Sequence, residues 1–236
     1  MNLVIDCGNT RVKYGVFENN KLIEFGIISE DFTLIFSRFK TITKVIIASV
    51  TNHHTIIQSL IPKTIPVILF SNKLKIPIQN FYQSAQTLGS DRLAASIGSY
   101  TLFPNNNVLT IDAGTCIKYN FTNNLNQYIG GAISPGLTMR LKALNHYTHG
   151  LPLVTFDENY ENLTGTTTQS SILSGTQIAA VCEVESMIER YMSLYPNLKI
   201  VFTGGDANYL CKLLKNRFFA DEHLIIKGLN AILNYQ

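Results

Sequence analysis

The sequence predicts an α/β protein made of two halves that repeat one order of strands and helices. The first half opens with an apolar run, Leu3–Ile5, which leads to Asp6, turns through Gly8 and returns as a second apolar run. The second half opens in the same way, because Val108–Ile111 leads into Asp112–Thr115 and a further apolar run. Each pattern is typical of a strand, a tight turn and a second strand.

The rest of the first half alternates strands and helices. Its predicted elements are strands at Lys21–Ile28, Lys44–Ser49 and Pro66–Phe70, and helices at Asp31–Lys40, His53–Ile61 and Gly89–Phe103. The polar segment Lys73–Leu88, which Pro77 interrupts, is predicted to be irregular. Three strands in hairpin connection, followed by helix, strand, helix and strand, is the order of a ribonuclease-H-like unit.

The second half restarts this order after the turn-rich segment Pro104–Asn107. Its predicted elements are strands at Val108–Asp112, Cys116–Thr122, Gln127–Ile133 and Lys199–Thr203, and helices at Pro135–Tyr147, Thr168–Tyr195, Asp206–Lys215 and Ile225–Tyr235. We therefore expect an α/β fold with two ribonuclease-H-like halves, residues 1–106 and 107–236. Each should hold a mixed five-stranded sheet with flanking helices, and the active site should lie in the cleft between the halves.

Composition excludes several classes of protein. Hydrophobic residues make up 46% of the 236 residues and charged residues 15%, enough apolar material for a buried core. No apolar stretch is long enough for a membrane helix, and no basic segment precedes the first apolar run, so we expect a cytoplasmic protein without a signal peptide. The net charge of +3 is scattered along the chain, which gives nucleic-acid binding little support. The four cysteines lack zinc-ligand spacing and should be reduced.

The first hairpin loop has the chemistry of a phosphate site. Backbone amides and Thr10 can donate hydrogen bonds, Lys13 supplies positive charge, and Asp6 can hold a cation or its waters. A single loop of this kind is more often an ordinary hairpin turn. Its repetition at Asp112–Thr115 favours the phosphate interpretation.

A second group of candidate residues, Gly89–Arg92, precedes a predicted helix. Ser90 or Asp91 could serve only as the N-cap of that helix, with the acid near its positive end. The functional alternative is that Asp91 accepts a proton from a substrate hydroxyl. Arg92 would then pair with a substrate carboxylate in fork geometry.

Two glycine-rich turns follow strands. In the segment Gly130–Gly136, the pair Gly130 and Gly131 could be a β-bulge, or the three glycines could allow a ligand or another backbone to approach closely. Thr203–Gly205 could support a flat ligand such as an adenine ring, or it could be a tight turn that Asp206 caps. Thr168 is by itself a good N-cap for the long helix that it begins.

The motifs described above, taken together and in their order along the chain, resemble those of the type III pantothenate kinases. This is a family within the acetate and sugar kinase/Hsc70/actin superfamily. The motifs are Asp6–Lys13, Gly89–Arg92, Asp112–Thr115, Gly130–Gly136 and Thr203–Gly205, and they span nearly the whole chain. The resemblance implies ATP-dependent phosphorylation of the primary hydroxyl of pantothenate to 4'-phosphopantothenate, the first step of coenzyme A biosynthesis. It also implies a cytoplasmic homodimer that uses Mg with ATP and a monovalent cation, potassium or ammonium.

The resemblance also implies a role for each motif residue. The first phosphate loop would consist of Asp6, Cys7, Gly8, Asn9, Thr10, Arg11, Val12 and Lys13, with Asp6 as a possible Mg ligand. Thr115, Gly204 and Gly205 would contact the nucleotide, and Asp112 would bind the monovalent cation. Asp91 would be the catalytic base. The pantothenate pocket would be lined by Tyr82, Gly89, Ser90, Asp91, Arg92 and Thr168.

Two other functions stay open. A non-catalytic relative could act as an accessory regulatory protein in gene expression, although a pure binder has no need for Lys13, Asp91, Arg92 and Asp112 together. Another phosphotransferase, or a polyphosphate-cleaving enzyme of the same superfamily, is the third possibility, and Gly89–Arg92 counts against it.

Overall fold

A computed structural model describes residues 1–8, 11–28, 30–49 and 54–236 of the chain. The described chain divides into two compact units. The first consists of Met1–Asn105, Thr122–Gly130 and His223–Gln236, and the second of Asn106–Phe121 and Gly131–Glu222. In the part of the chain that is described, no helix combines the length and the apolar character needed to cross a bilayer.

The first sheet is mixed. Its described strands are β1 (Asn2–Cys7), β2 (Val12–Glu18), β3 (Lys21–Ile27), β4 (Lys44–Ser49) and β5 (Val67–Leu69), in the order β3-β2-β1-β4-β5. The three strands that follow one another through hairpins pair antiparallel, whereas β4 and β5 pair parallel through crossover connections. This is the predicted ribonuclease-H-like order.

The second sheet repeats that order and adds one strand. Its described strands are β6 (Gln79–Asn80), β7 (Val108–Ala113), β8 (Cys116–Thr122), β9 (Gln127–Pro135), β10 (Lys199–Thr203) and β11 (Phe219–Ala220), in the order β11-β10-β7-β8-β9-β6. The expectation of five strands is therefore wrong for this sheet. The extra edge strand comes from the segment predicted to be irregular, where Gln79 and Asn80 pair with Gln127 and Tyr128. Two residues are too few to produce an alternating pattern.

The helices lie close to the predicted positions. They are α1 (Ile35–Arg38), α2 (His54–Ser59), α3 (Ser90–Leu102), α4 (Leu137–Tyr147), α5 (Thr168–Leu173), α6 (Ala179–Leu194), α7 (Ala207–Leu213) and α8 (Leu224–Asn234). The predicted helix Asp31–Lys40 is instead a 3₁₀ turn, Glu30–Leu34, followed by the short α1. Phe32 and Ile35 are both 4% exposed, and a spacing of three residues suits a 3₁₀ turn. Between α5 and α6 the long helix passes through a π-helical turn, Ser174–Ile178.

Apolar side chains cover both faces of the first sheet. Leu3 and Ile5 of β1 pack into a cluster that includes Ile35 of α1 and Ile57 of α2. Val4, between them, packs into a second cluster with α3 and α8. Successive side chains of a strand point to opposite faces, so this central strand reads as a continuous apolar run. Asp6 at its end is thus held on a rigid element.

The C-terminal helix belongs to the first unit. The sequence placed residues 107–236 in one half, but α8 packs against α3 and the first sheet through Ile226, Leu229, Ile232 and Leu233. The segment Thr122–Gly130 also falls in the first unit. An amphipathic pattern predicts that a helix buries one face, but it does not say which sheet receives that face.

The close packing of α3 and α8 depends on glycine, so we predict that Gly228→Ala destabilises the protein. A Cβ at Gly228 would overlap the Ala94 carbonyl oxygen and approach the Gly98 amide nitrogen to 2.9 Å. The free energy of unfolding, measured by urea denaturation, should fall by about 2 to 3 kcal/mol. The matched control is Gly150→Ala, where nothing lies within 4 Å of an added Cβ. Equal losses in the two variants would contradict the packing argument.

Candidate active site

The first hairpin places Lys13 opposite Asp6. The two residues are Cα partners in the pairing of β1 with β2, so their side chains lie on one face of the sheet. The Gly8 amide donates a hydrogen bond to the Arg11 carbonyl oxygen at 3.2 Å, which closes the turn. Asn9 and Thr10, predicted phosphate-loop residues, lie outside the described residues. The first hairpin thus carries a carboxylate and an amine on the same face of the sheet.

Two other residues of this loop contribute little side-chain chemistry. Cys7 is fully buried in the apolar cluster below β1, and burial raises the pKa of its thiol to about 11. A neutral, buried thiol is not a nucleophile. Val12 packs against the same cluster. The Cys7 side chain is therefore not available to a ligand, whereas Val12 is half-buried and the Arg11 side chain is exposed.

The second hairpin carries an ion pair that the sequence analysis missed. Lys118 Nζ lies 2.6 Å from Asp112 Oδ2, and the two side chains are 18% and 7% exposed. A lysine follows the aspartate at similar spacing in both hairpins, and this repetition was a signal that could have identified Lys118. Thr115, in the two-residue connection, is exposed, and nothing lies within 4 Å of a Cβ added at Gly114. The connection therefore offers a hydroxyl and open space to a ligand.

The two glycines assigned to the nucleotide are not equivalent. Gly204 has φ +95°, and a Cβ there would overlap the Ala113 carbonyl oxygen, so the end of β10 needs a glycine for packing alone. At Gly205, which is exposed, nothing lies within 4 Å of an added Cβ. Gly205 therefore leaves open surface on which a flat ring can lie.

Asp206 follows these glycines and is the N-cap residue of α7, although its side chain makes no capping hydrogen bond. Burial, together with the negative charge of Asp112, raises the pKa of Asp206 from 3.8 to about 6. Its amide donates to the Ala113 carbonyl oxygen at 3.0 Å. Two carboxylates and one amine thus share the end of β7.

The N-terminus of α3 is built around Gly89. Gly89 is the N-cap, so the interpretation of Ser90 or Asp91 as the cap is wrong. Asp91 Oδ1 accepts a hydrogen bond from the Arg92 amide at 2.9 Å, and a Cβ at Gly89 would come within 2.6 Å of this oxygen. Ser90 and Asp91 are both partly exposed. The glycine therefore makes room for a carboxylate that sits in the first turn of the helix and remains accessible.

Arg92 and Tyr82, both predicted to contact substrate, are in contact with each other. The guanidinium carbon of Arg92 lies 5.4 Å from the centre of the Tyr82 ring, a cation–π distance. Tyr82 also packs against Tyr128, and Arg92 is 5% exposed. Gly130, with φ +136°, lies against the Tyr82 ring, since a Cβ there would be 3.3 Å from it. The close approach at this glycine is therefore to a protein side chain.

Thr168 is the first residue of α5 and lines an open pocket of about 690 Å³ in the second unit. Its interpretation as the N-cap is wrong, because Thr167 fills that role and accepts a hydrogen bond from the Ser170 amide at 3.2 Å. The Thr167 hydroxyl is thus committed to the helix end. The pocket is lined by Leu144, Leu151, Gly165, Thr166, Thr167, Thr168, Ser171 and Ile172.

A polar network in the second unit supports the second hairpin, and no sequence pattern predicts it. Glu183 accepts hydrogen bonds from Tyr119 at 3.1 Å and from Ser134 at 2.6 Å, and it forms an ion pair with Arg140. Burial opposes ionisation of Glu183, but the bonds from Ser134 and Arg140 hold its pKa below the usual value. Arg140 Nε also donates to the carbonyl oxygen of Pro135 at 2.8 Å. The next residue, Gly136, donates its amide to the Thr115 carbonyl oxygen at 3.1 Å, which fixes the loop.

Comparison with known proteins assigns the family. The sequence model of the family described as "Type III pantothenate kinase" matches residues 2–190. A type III pantothenate kinase of Christiangramia forsetii is 40% identical over 100% of this chain and 98% of its own length. One from Cytophaga hutchinsonii is 39% identical over 100% of this chain and 99% of its own.

The chain belongs to the type III pantothenate kinase family. Members of a kinase family transfer a phosphoryl group from ATP with Mg, and this membership makes the chain a kinase by sequence.

Solved structures agree with this fold. A protein from Campylobacter jejuni, described as a Baf family transcriptional activator, has a TM-score of 0.64 at 22% identity and covers 99% of this chain and 98% of its own. A protein from Listeria monocytogenes, described as an N-acetylmannosamine kinase, has a TM-score of 0.54 at 12% identity and covers 99% of each chain. At these identities the likeness concerns the fold alone.

The raised pKa of Asp206 gives a testable pH dependence of stability. The folded protein holds this proton up to about pH 6, whereas the unfolded chain releases it near 3.8. The resulting stabilisation is complete below pH 3.8 and is lost as the pH rises through 6. In the Asp206→Asn variant the side chain is neutral at every pH, and asparagine is also a good capping residue. At pH 7.5 the free energy of unfolding of this variant should therefore exceed that of the unchanged protein. The expected difference, after allowance for solvent screening, is about 1 kcal/mol.

Urea denaturation at pH 7.5 and at pH 4.5 measures this difference. At pH 4.5 the advantage of Asp206→Asn should disappear. An advantage of the same size at both values would show that the carboxylate of Asp206 does not titrate near pH 6.

Proposed function

We propose that this chain transfers the γ-phosphoryl group of ATP to the primary hydroxyl of pantothenate and so makes 4'-phosphopantothenate in the first step of coenzyme A biosynthesis. The observation that carries the proposal is the match to type III pantothenate kinases over the full length of the chain. The accessible Asp91 and the two phosphate-type hairpins supply the chemistry that this reaction needs.

Asp91 is the base in this proposal. Its carboxylate accepts the proton of the pantothenate hydroxyl as the oxygen forms its bond to the γ-phosphorus and the bond to ADP breaks. The Arg92 amide, which donates to Asp91 Oδ1 at 2.9 Å, fixes the direction of the carboxylate. The carboxylate is therefore oriented before the reaction begins, because the first turn of α3 holds it in place. Little entropy then has to be lost to align the reacting atoms.

The pantothenate site in this proposal includes Gly89, Ser90 and Arg92. Arg92 is held over Tyr82, so its guanidinium has a fixed orientation for a substrate carboxylate. Ser90 is partly exposed at the first helical position and can donate a hydrogen bond. Thr168 contributes a second hydroxyl, at the edge of the open pocket in its unit.

ATP is held by the two hairpin loops and Gly205. Lys13 and the amides of the first loop balance the charge on the phosphates, and Asp6 would hold Mg, which supplies further positive charge when bound. The Thr115 hydroxyl donates a hydrogen bond to the nucleotide. The open surface at Gly205 contacts the adenine ring. Asp112 holds a positive charge beside the phosphates. The family resemblance attributes that charge to potassium or ammonium.

Location and assembly follow from the resemblance. We place the reaction in the cytoplasm and the chain in a homodimer, and the proposal involves no nucleic-acid partner and no membrane. Size-exclusion chromatography with light scattering measures the dimer directly.

The test of the function is an assay for phosphopantothenate. The purified protein is incubated with ATP, Mg, potassium chloride and pantothenate, and the product is identified by mass spectrometry. Formation of phosphopantothenate supports the proposal, and its absence with folded protein overturns it. Phosphorylation of other acceptors in a substrate panel would indicate a different phosphotransferase, and nucleotide binding without any turnover would indicate the accessory regulatory role.

We predict that Asp91→Asn lowers kcat/KM for pantothenate by about 10² to 10⁴-fold, because the amide cannot accept the hydroxyl proton. ATP affinity, measured by calorimetry, should change less than about threefold, since the residues proposed to bind ATP are unchanged in this variant. The control is Glu189→Gln, which makes the same change from acid to amide on the exposed face of α6. This variant should keep full activity. Unchanged turnover in Asp91→Asn would reject Asp91 as the base.

A further inference from the structure

The aspartate of the second hairpin already has a cation within the chain. Lys118 Nζ and Asp112 Oδ2 are 2.6 Å apart, and neither side chain is more than 18% exposed. Charges that are withdrawn from water in this way persist only when they are paired. The Asp112 carboxylate is therefore neutralised by the protein itself.

The first hairpin also has a lysine on the strand that pairs with its aspartate. Lys13 is the Cα partner of Asp6, so a lysine also stands beside the aspartate at the end of β1. Both hairpins thus carry a lysine on the strand that follows the aspartate, and in the second hairpin the two side chains form an ion pair. Lys118 is then the counterpart of Lys13, the residue whose charge the proposed function uses for the phosphates.

A potassium ion at Asp112 does not fit this arrangement. The ion would have to compete with the Lys118 ammonium group for an oxygen of the Asp112 carboxylate. The two positive charges would also repel each other at a separation of a few ångströms. In the described residues, no group of three or more His, Cys, Asp or Glu side chains is arranged to hold a metal ion. Asp206 is the other acid near Asp112, and an ion shared by these two carboxylates is the competing arrangement.

We propose that the Lys118 ammonium group takes the place of the monovalent cation at Asp112, so that nucleotide binding and phosphoryl transfer by this chain do not depend on potassium or ammonium ions. The inference rests on the proposed kinase function. An ammonium group and a potassium ion carry the same charge, and one fixed on a strand needs no ordering when ATP binds.

The first arm of the test compares buffers. The rate of phosphopantothenate formation is measured in potassium chloride and in choline chloride at equal ionic strength. The two rates should agree within about twofold for the unchanged protein, because the preorganised ammonium already supplies the charge. A stimulation by potassium of tenfold or more overturns the proposal, and it favours an ion held by Asp112 and Asp206.

The second arm uses two variants of Lys118. Lys118→Ala should lose about 10²-fold in rate in choline chloride, and potassium or ammonium should restore at least tenfold, because the shortened side chain leaves space for an ion. Lys118→Met fills the same volume without charge, so its rate should fall and should not be restored. Lys212→Ala is the matched control, since Lys212 forms an exposed ion pair with Glu161 at 2.6 Å, and it should be unaffected in both buffers.

A third arm measures binding without turnover. The rise in melting temperature caused by Mg and a non-hydrolysable ATP analogue should be the same in both buffers for the unchanged protein. For Lys118→Ala it should appear only with potassium. This arm decides the inference even if no phosphopantothenate forms, so failure of the proposed function is distinguishable from failure of the inference.

Circular dichroism checks that each variant is folded. If Lys118→Ala is unfolded, the buffer comparison on the unchanged protein and the behaviour of Lys118→Met still decide. A Lys118→Ala variant that is folded and fully active in choline chloride overturns the proposal.

Discussion

The site depends on carboxylates that are fixed at the ends of buried central strands and must be balanced by positive charge. β1 and β7 are interior strands of their sheets, and each carries an aspartate as its penultimate residue, between apolar residues that are fully buried. A carboxylate in such a position is costly without a partner. Lys118 meets this need for Asp112 by an ion pair, and Lys13 stands opposite Asp6.

This constraint is consistent with the phosphate-binding role that we propose for the hairpins. Lys13 and Lys118 stand on the strands that follow the two loops, and in the proposed function such amines balance the charge of the ATP phosphates, so the proposed site needs little rearrangement. The surrounding structure holds the loops in place without contributing to the chemistry. In the second unit that support comes from Glu183 and Arg140, whose bonds hold the segment that ends at Gly136 against the Thr115 carbonyl.

The C-terminal helix shows how packing decides membership of a unit. The glycines at positions 98 and 228 let α3 and α8 approach until backbone atoms are in contact. This approach buries the apolar face of α8 against the helix that begins with Ser90 and Asp91. The position of the helix that carries the proposed base Asp91 therefore depends on its packing against α8.

The sequence by itself determined the repeated hairpins, the strand order, most helix positions and the motif residues, because alternating and helical patterns and turn chemistry are local properties. Only the tertiary structure decided the contacts between distant residues. It paired Lys118 with Asp112, placed Arg92 over Tyr82 and separated the structural Gly204 from the open Gly205. It also added Gln79–Asn80 to a sheet and returned α8 to the first unit. Such contacts depend on which surfaces meet after folding, and no local pattern encodes that choice.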